Sequence, residues 1–194
     1  MLKITIMPNE HFDEETEKFF YFPDKEIDLI LEHSLLSITR WEEKWHIPFP
    51  FINNTSDKMT EEQVYDYIRF MCVKPAPDQI SIKLLKNLSQ EQVSEITDYI
   101  NNPMTATFFR DKKAKPGNKK IITNELIYYY MSAYQIPFSC EKWHFNRLMT
   151  LIRVCNAETE AQNPDNKKKG FTKSDYADRA RLNAMRKAKA HTRG

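Results

Sequence analysis

Leu2, Ile4 and Ile6 alternate with polar residues, which predicts a β-strand, and Pro8-Asn9 ends it. A second apolar run, Phe19–Phe22, follows an acidic segment, so a small N-terminal hairpin with the first strand is expected. Leu31, Leu35, Ile38, Trp41 and Trp45 recur at helical spacing, which predicts a helix in the region 28–46, stopped by Pro48.

Two capping boxes follow. Thr60 with Gln63 opens a helix bearing Val64, Tyr67, Ile68 and Met71, expected to end before Pro75. Ser89 with Gln92 opens another, bearing Val93, Ile96 and Ile100, closed by Asn101-Asn102-Pro103. Residues 105–122 flank a Lys/Pro/Gly stretch and read as a mid-chain hairpin. Thr123 caps a helix with Leu126, Ile127, Tyr130, Met131 and Tyr134. Ser139 is read as the cap of the next one, with Trp143, Leu148, Leu151, Ile152 and Cys155. The short link at Ile136–Phe138 predicts that these two helices pack antiparallel.

Apolar periodicity vanishes after Asn156. The expected organisation is a body over residues 1–156, a flexible linker over 157–173 and a basic helical tail over 174–194. The expected fold class is mainly α: a helical bundle with minor β hairpins, N-terminal and mid-chain, and a basic C-terminal helical tail.

Charge sharpens this division. Residues 167–194 carry ten Lys/Arg against two Asp, whereas residues 1–166 carry 19 Lys/Arg against 25 Asp/Glu. The tail can be read as a phosphate binder, as a dock for an acidic protein surface or as a solvated extension. Its lack of interleaved aromatics weakens the nucleic-acid reading.

Composition excludes several chemistries. Gly117, Gly170 and Gly194 are the three glycines, too few and too scattered for a phosphate-cradling loop. No apolar run approaches the ~20 residues that cross a bilayer, and the N-terminus does not read as a signal peptide, so a cytoplasmic protein is expected. Cys72, Cys140 and Cys155 lack metal spacing and read as reduced core thiols.

The remaining candidates are weak as chemistry. Cys140 and His144 lie four apart, but two side chains complete neither a zinc site nor an oriented nucleophile–base pair. Glu42 and Glu43 sit beside Arg40 and Lys44 and read as a solvated charged face. Trp143, His144, Asn146, Arg147 and Arg153 form a polar–aromatic group with two readings. Arg147 or Arg153 pairs with Glu32, Glu42 or Glu125, or the group is a contact face for a partner. No catalytic, cofactor or metal residue is assigned.

Four stretches carry a resemblance. They are Leu31–Ser37 with Trp41-Glu42 and Trp45, Asn102–Thr107, Ile136–Leu148, and Leu182–Arg186 near Thr192–Gly194. Together they resemble tail assembly chaperones of bacteriophages and prophages of Gram-positive bacteria. The resemblance implies a non-enzymatic protein of the host cytoplasm, with the tape measure and tail tube proteins as partners and no cofactor or membrane. A homo-oligomer is compatible with it. It also allows the longer product of a ribosomal frameshift near Lys167-Lys168-Lys169. The expected partner-binding residues are Trp41, Trp45, Trp143, Arg147, Arg179, Arg181, Arg186 and Lys187. Two rival readings accompany it: a connector, adaptor or collar subunit of the virion with the tail as its assembly arm, and a nucleic-acid-binding protein.

Overall fold

The structure is a computed structural model and describes residues 1–15, 17–50, 59–107, 109, 121–162, 180, 181, 183 and 184. The chain divides into two compact units, Met1–Ile152 and Arg153–Gly194.

The first unit is a mixed α/β fold, which corrects the expected helical bundle. Strand β1 (Leu2–Ile6) pairs antiparallel with β4 (Ile27–Leu31), and β4 pairs with the short β5 (Cys72–Lys74). The register sets Leu2 opposite Leu31, Ile4 opposite Leu29 and Ile6 opposite Ile27. One face of the pair is therefore continuously apolar, and Ile4, Ile6, Leu29 and Leu31 are buried. On the other face the Thr5 hydroxyl donates to Asp28, and Lys3 pairs with the same carboxylate in water. This pairing is why residues 27–31 are not helical. Leu31 fits a helical spacing with Leu35, but Ile27, Leu29 and Leu31 also alternate, and the partner strand selects the alternation.

A separate two-stranded sheet lies between them in sequence: β2 (Asn9–Asp13) and β3 (Lys18–Phe22). The hairpin expected between Leu2–Ile6 and Phe19–Phe22 does not form: Phe19–Phe22 pairs with Asn9–Asp13, while β1 pairs with β4.

Helix α1 (Leu35–Trp45) starts at Ser34, whose N–H donates to the Ser37 hydroxyl, and closes at His46 in the left-handed region (φ 54°). Helix α2 (Glu61–Met71) opens on the Thr60/Gln63 box and α4 (Gln90–Asn101) on the Ser89/Gln92 box, as their sequences dictate. Between them lie a 3₁₀ turn (Pro77–Gln79) and the one-turn α3 (Ile82–Leu85). Helix α5 spans Asn124–Ala133.

Phe138–Lys142 is a second 3₁₀ turn, and α6 runs Phe145–Gln162. Ser139 therefore caps no helix, and Cys140 and His144 do not share one. Helix α6 continues six residues past Asn156, into the stretch that composition assigns to a linker. Thr105–Thr107 and Ile121–Thr123 are not strands; the expected mid-chain hairpin otherwise falls on residues outside those described.

Helix α1 is central to the helical layer, packing on α2, α5 and the second 3₁₀ turn. Leu35, Ile38 and Trp41 from α1, Phe49, Leu85, Ile127, Met131 and Leu148 fill the core with no exposed surface. Gln92 ties α4 to the sheet by donating to the Thr5 carbonyl at 2.7 Å.

Candidate partner-binding site

The sequence-predicted contact residues divide by burial. Trp41 is a core residue: its ring is fully buried edge-on against Phe49, and its indole N–H donates to the Gln63 carbonyl at 3.0 Å. It is thereby removed from any contact face of this fold. Trp45 is half-buried, tilted toward Trp41, with the Lys44 ammonium 5.3 Å above its ring. Trp143 is half-buried and carries the exposed Arg147 guanidinium 4.3 Å over its face. In the second unit Arg181 is exposed on a helical turn, whereas Arg179, Arg186 and Lys187 lie outside the described residues.

His144 and Asn146 of the Ile136–Leu148 stretch turn inward instead. The Phe145 N–H donates to the His33 carbonyl at 2.8 Å, fixing the start of α6 to the link between β4 and α1. The His33 ring lies edge-on to His144 (5.0 Å), Phe145 (5.6 Å) and Tyr67 (6.0 Å). His33 Nδ1 and the Tyr67 hydroxyl share a hydrogen bond of 2.5 Å. His144 Nε2 donates to the Tyr99 carbonyl, and Asn146 donates to the carbonyls of Ile100 and Asn102. Four distant stretches thus meet at one polar–aromatic node.

The electrostatics of this node suit structure rather than proton transfer. Burial, with the His144 imidazole adding to it, pushes His33 down to about 3. Burial likewise raises the Tyr67 phenol and lowers His144. Both imidazoles are therefore neutral near pH 7, and the phenol keeps its proton. The Cys72 thiol is pushed up to about 12 by burial, so it is a poor nucleophile. Among the described residues, no three His, Cys, Asp or Glu side chains are grouped to hold a metal ion. No described helix is long and apolar enough to cross a membrane.

The two adjacent glutamates have different fates. Glu42 is buried and accepts the N–H of Phe49 at 2.7 Å on one oxygen. Its other oxygen accepts the N–H and side-chain amide of Asn124, both at 2.8 Å. Glu43 is exposed beside it. Both line an open cleft of ≈ 560 Å³ with His46, Ile47, Thr123 and Glu125. A hydrogen bond from the Thr123 hydroxyl holds the Glu125 carboxyl below its ordinary value. Glu42 is already saturated by structural donors, so the pair is no acid–base dyad. Glu42, one of the three acidic partners weighed for Arg147 or Arg153, is held by these amide donors instead.

Sequence reasoning missed an exposed aromatic surface. Phe12 (52% exposed), Phe19 (67%) and Tyr21 (59%) stand on the β2–β3 hairpin. The signal was a run of four aromatics without alternation beside an acidic turn, which reads as strand but not as surface. Phe138 (57%) and Tyr129 (64%) are also exposed, with Phe138 edge-on to Tyr128. No protein-family model, no curated protein and no solved structure matches the chain.

Proposed function

We propose that this chain is a non-enzymatic assembly chaperone of a bacteriophage tail, acting in the host cytoplasm on the tape measure protein and recruiting tail tube subunits. The observation that carries the reading is the node around His33. Three of the stretches that resemble such chaperones, Leu31–Ser37, Asn102–Thr107 and Ile136–Leu148, are joined there by the Phe145–His33 and Asn146–Asn102 bonds. Residues scattered over more than 100 positions thus serve one fold. The surface left over, Arg147 on Trp143, has the composition of a protein contact.

Reversible cover of apolar helix surface is the mechanism. An aromatic–arginine patch contacts apolar side chains and screens them from water, without any covalent step. Co-expression with tape-measure segments tests this. The expected result is a soluble complex and absence of the chain from purified virions. Continued aggregation of the segments refutes the reading, and stoichiometric presence in virions assigns the chain to the connector or collar class instead.

A further inference from the structure

The β2–β3 hairpin has two unlike faces. Cross-strand register places His11 opposite Phe20 and Asn9 opposite Phe22 on one face, and Phe12 opposite Phe19 and Glu10 opposite Tyr21 on the other. The first face is partly covered, with Phe20 38% exposed. The Lys83 ammonium of α3 lies 5.4 Å over Phe20 and 5.0 Å over Phe22, His11 stacks on Phe20, and Asn87 donates to the Phe22 carbonyl at 3.0 Å. Among the described residues the second face has no such cover: Phe12 and Phe19 pair at 5.0 Å and remain more than half exposed, as does Tyr21.

A two-stranded sheet that exposes three large aromatics bears a cost in water that a purely structural hairpin would not need. The charge around it identifies the occupant. From Asn9 to Phe22 the chain carries Glu10, Asp13, Glu14, Glu15 and Glu17 against Lys18 alone. Glu10, Glu14, Glu15 and Glu17 are exposed. Such a surface repels phosphate backbones, and it repels a second copy of itself. It attracts cations, and aromatic faces attract them too.

We infer that the Phe12–Phe19–Tyr21 face, rimmed by Glu10, Glu14, Glu15 and Glu17, is a docking site for a basic peptide segment of a protein partner. The aliphatic stems of its Arg and Lys side chains lie across the rings, and their charged ends reach the carboxylates. The inference stands on the hairpin alone and does not depend on the tail-assembly reading.

The test uses the full chain and a labelled alternating Arg–Val peptide, with an alternating Glu–Val peptide as control, followed by fluorescence anisotropy. The Arg–Val peptide is expected to bind, and the Glu–Val peptide not to. Phe12→Ser/Phe19→Ser/Tyr21→Ser is expected to weaken binding about tenfold or more, as removal of clustered aromatic anchors does. Glu14→Lys/Glu15→Lys/Glu17→Lys should abolish it. Near-ultraviolet circular dichroism of both variants checks that the core persists. Equal binding by wild type and the aromatic variant overturns the proposal, as does equal binding of the two peptides. Sedimentation showing self-association lost in the aromatic variant also overturns it, since the face would then serve a second copy.

Discussion

Glu42 supplies the helix cap that Asn124 lacks from its own neighbourhood. Thr123 occupies the N-cap position of α5 but makes no capping bond with its side chain. The Glu42 carboxylate, 82 residues earlier, accepts the orphan N–H of Asn124 instead. The negative charge also sits at the positive end of the helix. The same carboxylate holds the chain after α1 through Phe49.

Glu42→Ala is therefore expected to destabilise the protein by about 2–3 kcal/mol, because buried donors lose their acceptor. Its exposed neighbour provides the control: Glu43→Ala should change stability by no more than about 0.5 kcal/mol. Urea denaturation of the two variants makes the comparison, and equal losses would refute the capping role.

Asp66 behaves asymmetrically. It is fully buried on α2, paired with Lys44 of α1 and, at 2.9 Å, with Arg69. Both cations reach water, whereas the carboxylate does not. Lys44→Met/Arg69→Met should cost about 3–5 kcal/mol by leaving a buried charge unpaired. Asp66→Asn should cost less, since the freed cations can hydrate. Thermal melts of both variants decide, and the reverse order would exclude this account.

Stability should fall as the solution is acidified, and His33 contributes a defined share. Its folded-state value is about 3 against 6.5 for the free side chain, so between these values the unfolded chain binds the extra proton. The contribution is fully present above pH 6.5 and is lost as pH falls toward 3, at about 1.4 kcal/mol per pH unit. His33→Gln removes this titration. The stability gap between wild type and variant, from urea midpoints across pH 7.5 to 4.5, should narrow on acidification. A gap independent of pH counts against a neutral buried His33.

The tryptophans and arginines should separate stability from binding. Trp41→Ala opens a hole in the core and should cost about 3–5 kcal/mol. Arg147→Ala loses only an exposed stack, about 0.5–1 kcal/mol, yet should weaken any tape-measure complex. Melting temperature and pull-down yield, measured together, distinguish the two. Loss of folding in Arg147→Ala would place it in the framework instead.

What the sequence disclosed was local. Thr60/Gln63 and Ser89/Gln92 announce their helices because both halves of each box lie within one turn. Residues 27–31 misled because their state is decided by β1, more than twenty residues away. The Glu42–Asn124 cap spans 82 positions and has no local signature. His144 and Asn146 read as part of a group that is either structural or a contact face, and their partners are carbonyls of Tyr99, Ile100 and Asn102, which no side-chain pattern advertises. Trp143 and Arg147 were legible as members of one polar–aromatic group, but their stack was not, because Trp143 precedes the helix that begins at Phe145.

The three-stranded sheet places its most apolar strand in the middle, guarded on one flank by residues Leu2–Ile6. Clipping those few residues would convert Ile27–Leu31 into an open, hydrophobic border with free backbone donors and acceptors. The N-terminal segment is thus a shield against clumping as well as a structural strand, and a protease nick after Ile6 would turn a well-behaved molecule into a sticky one.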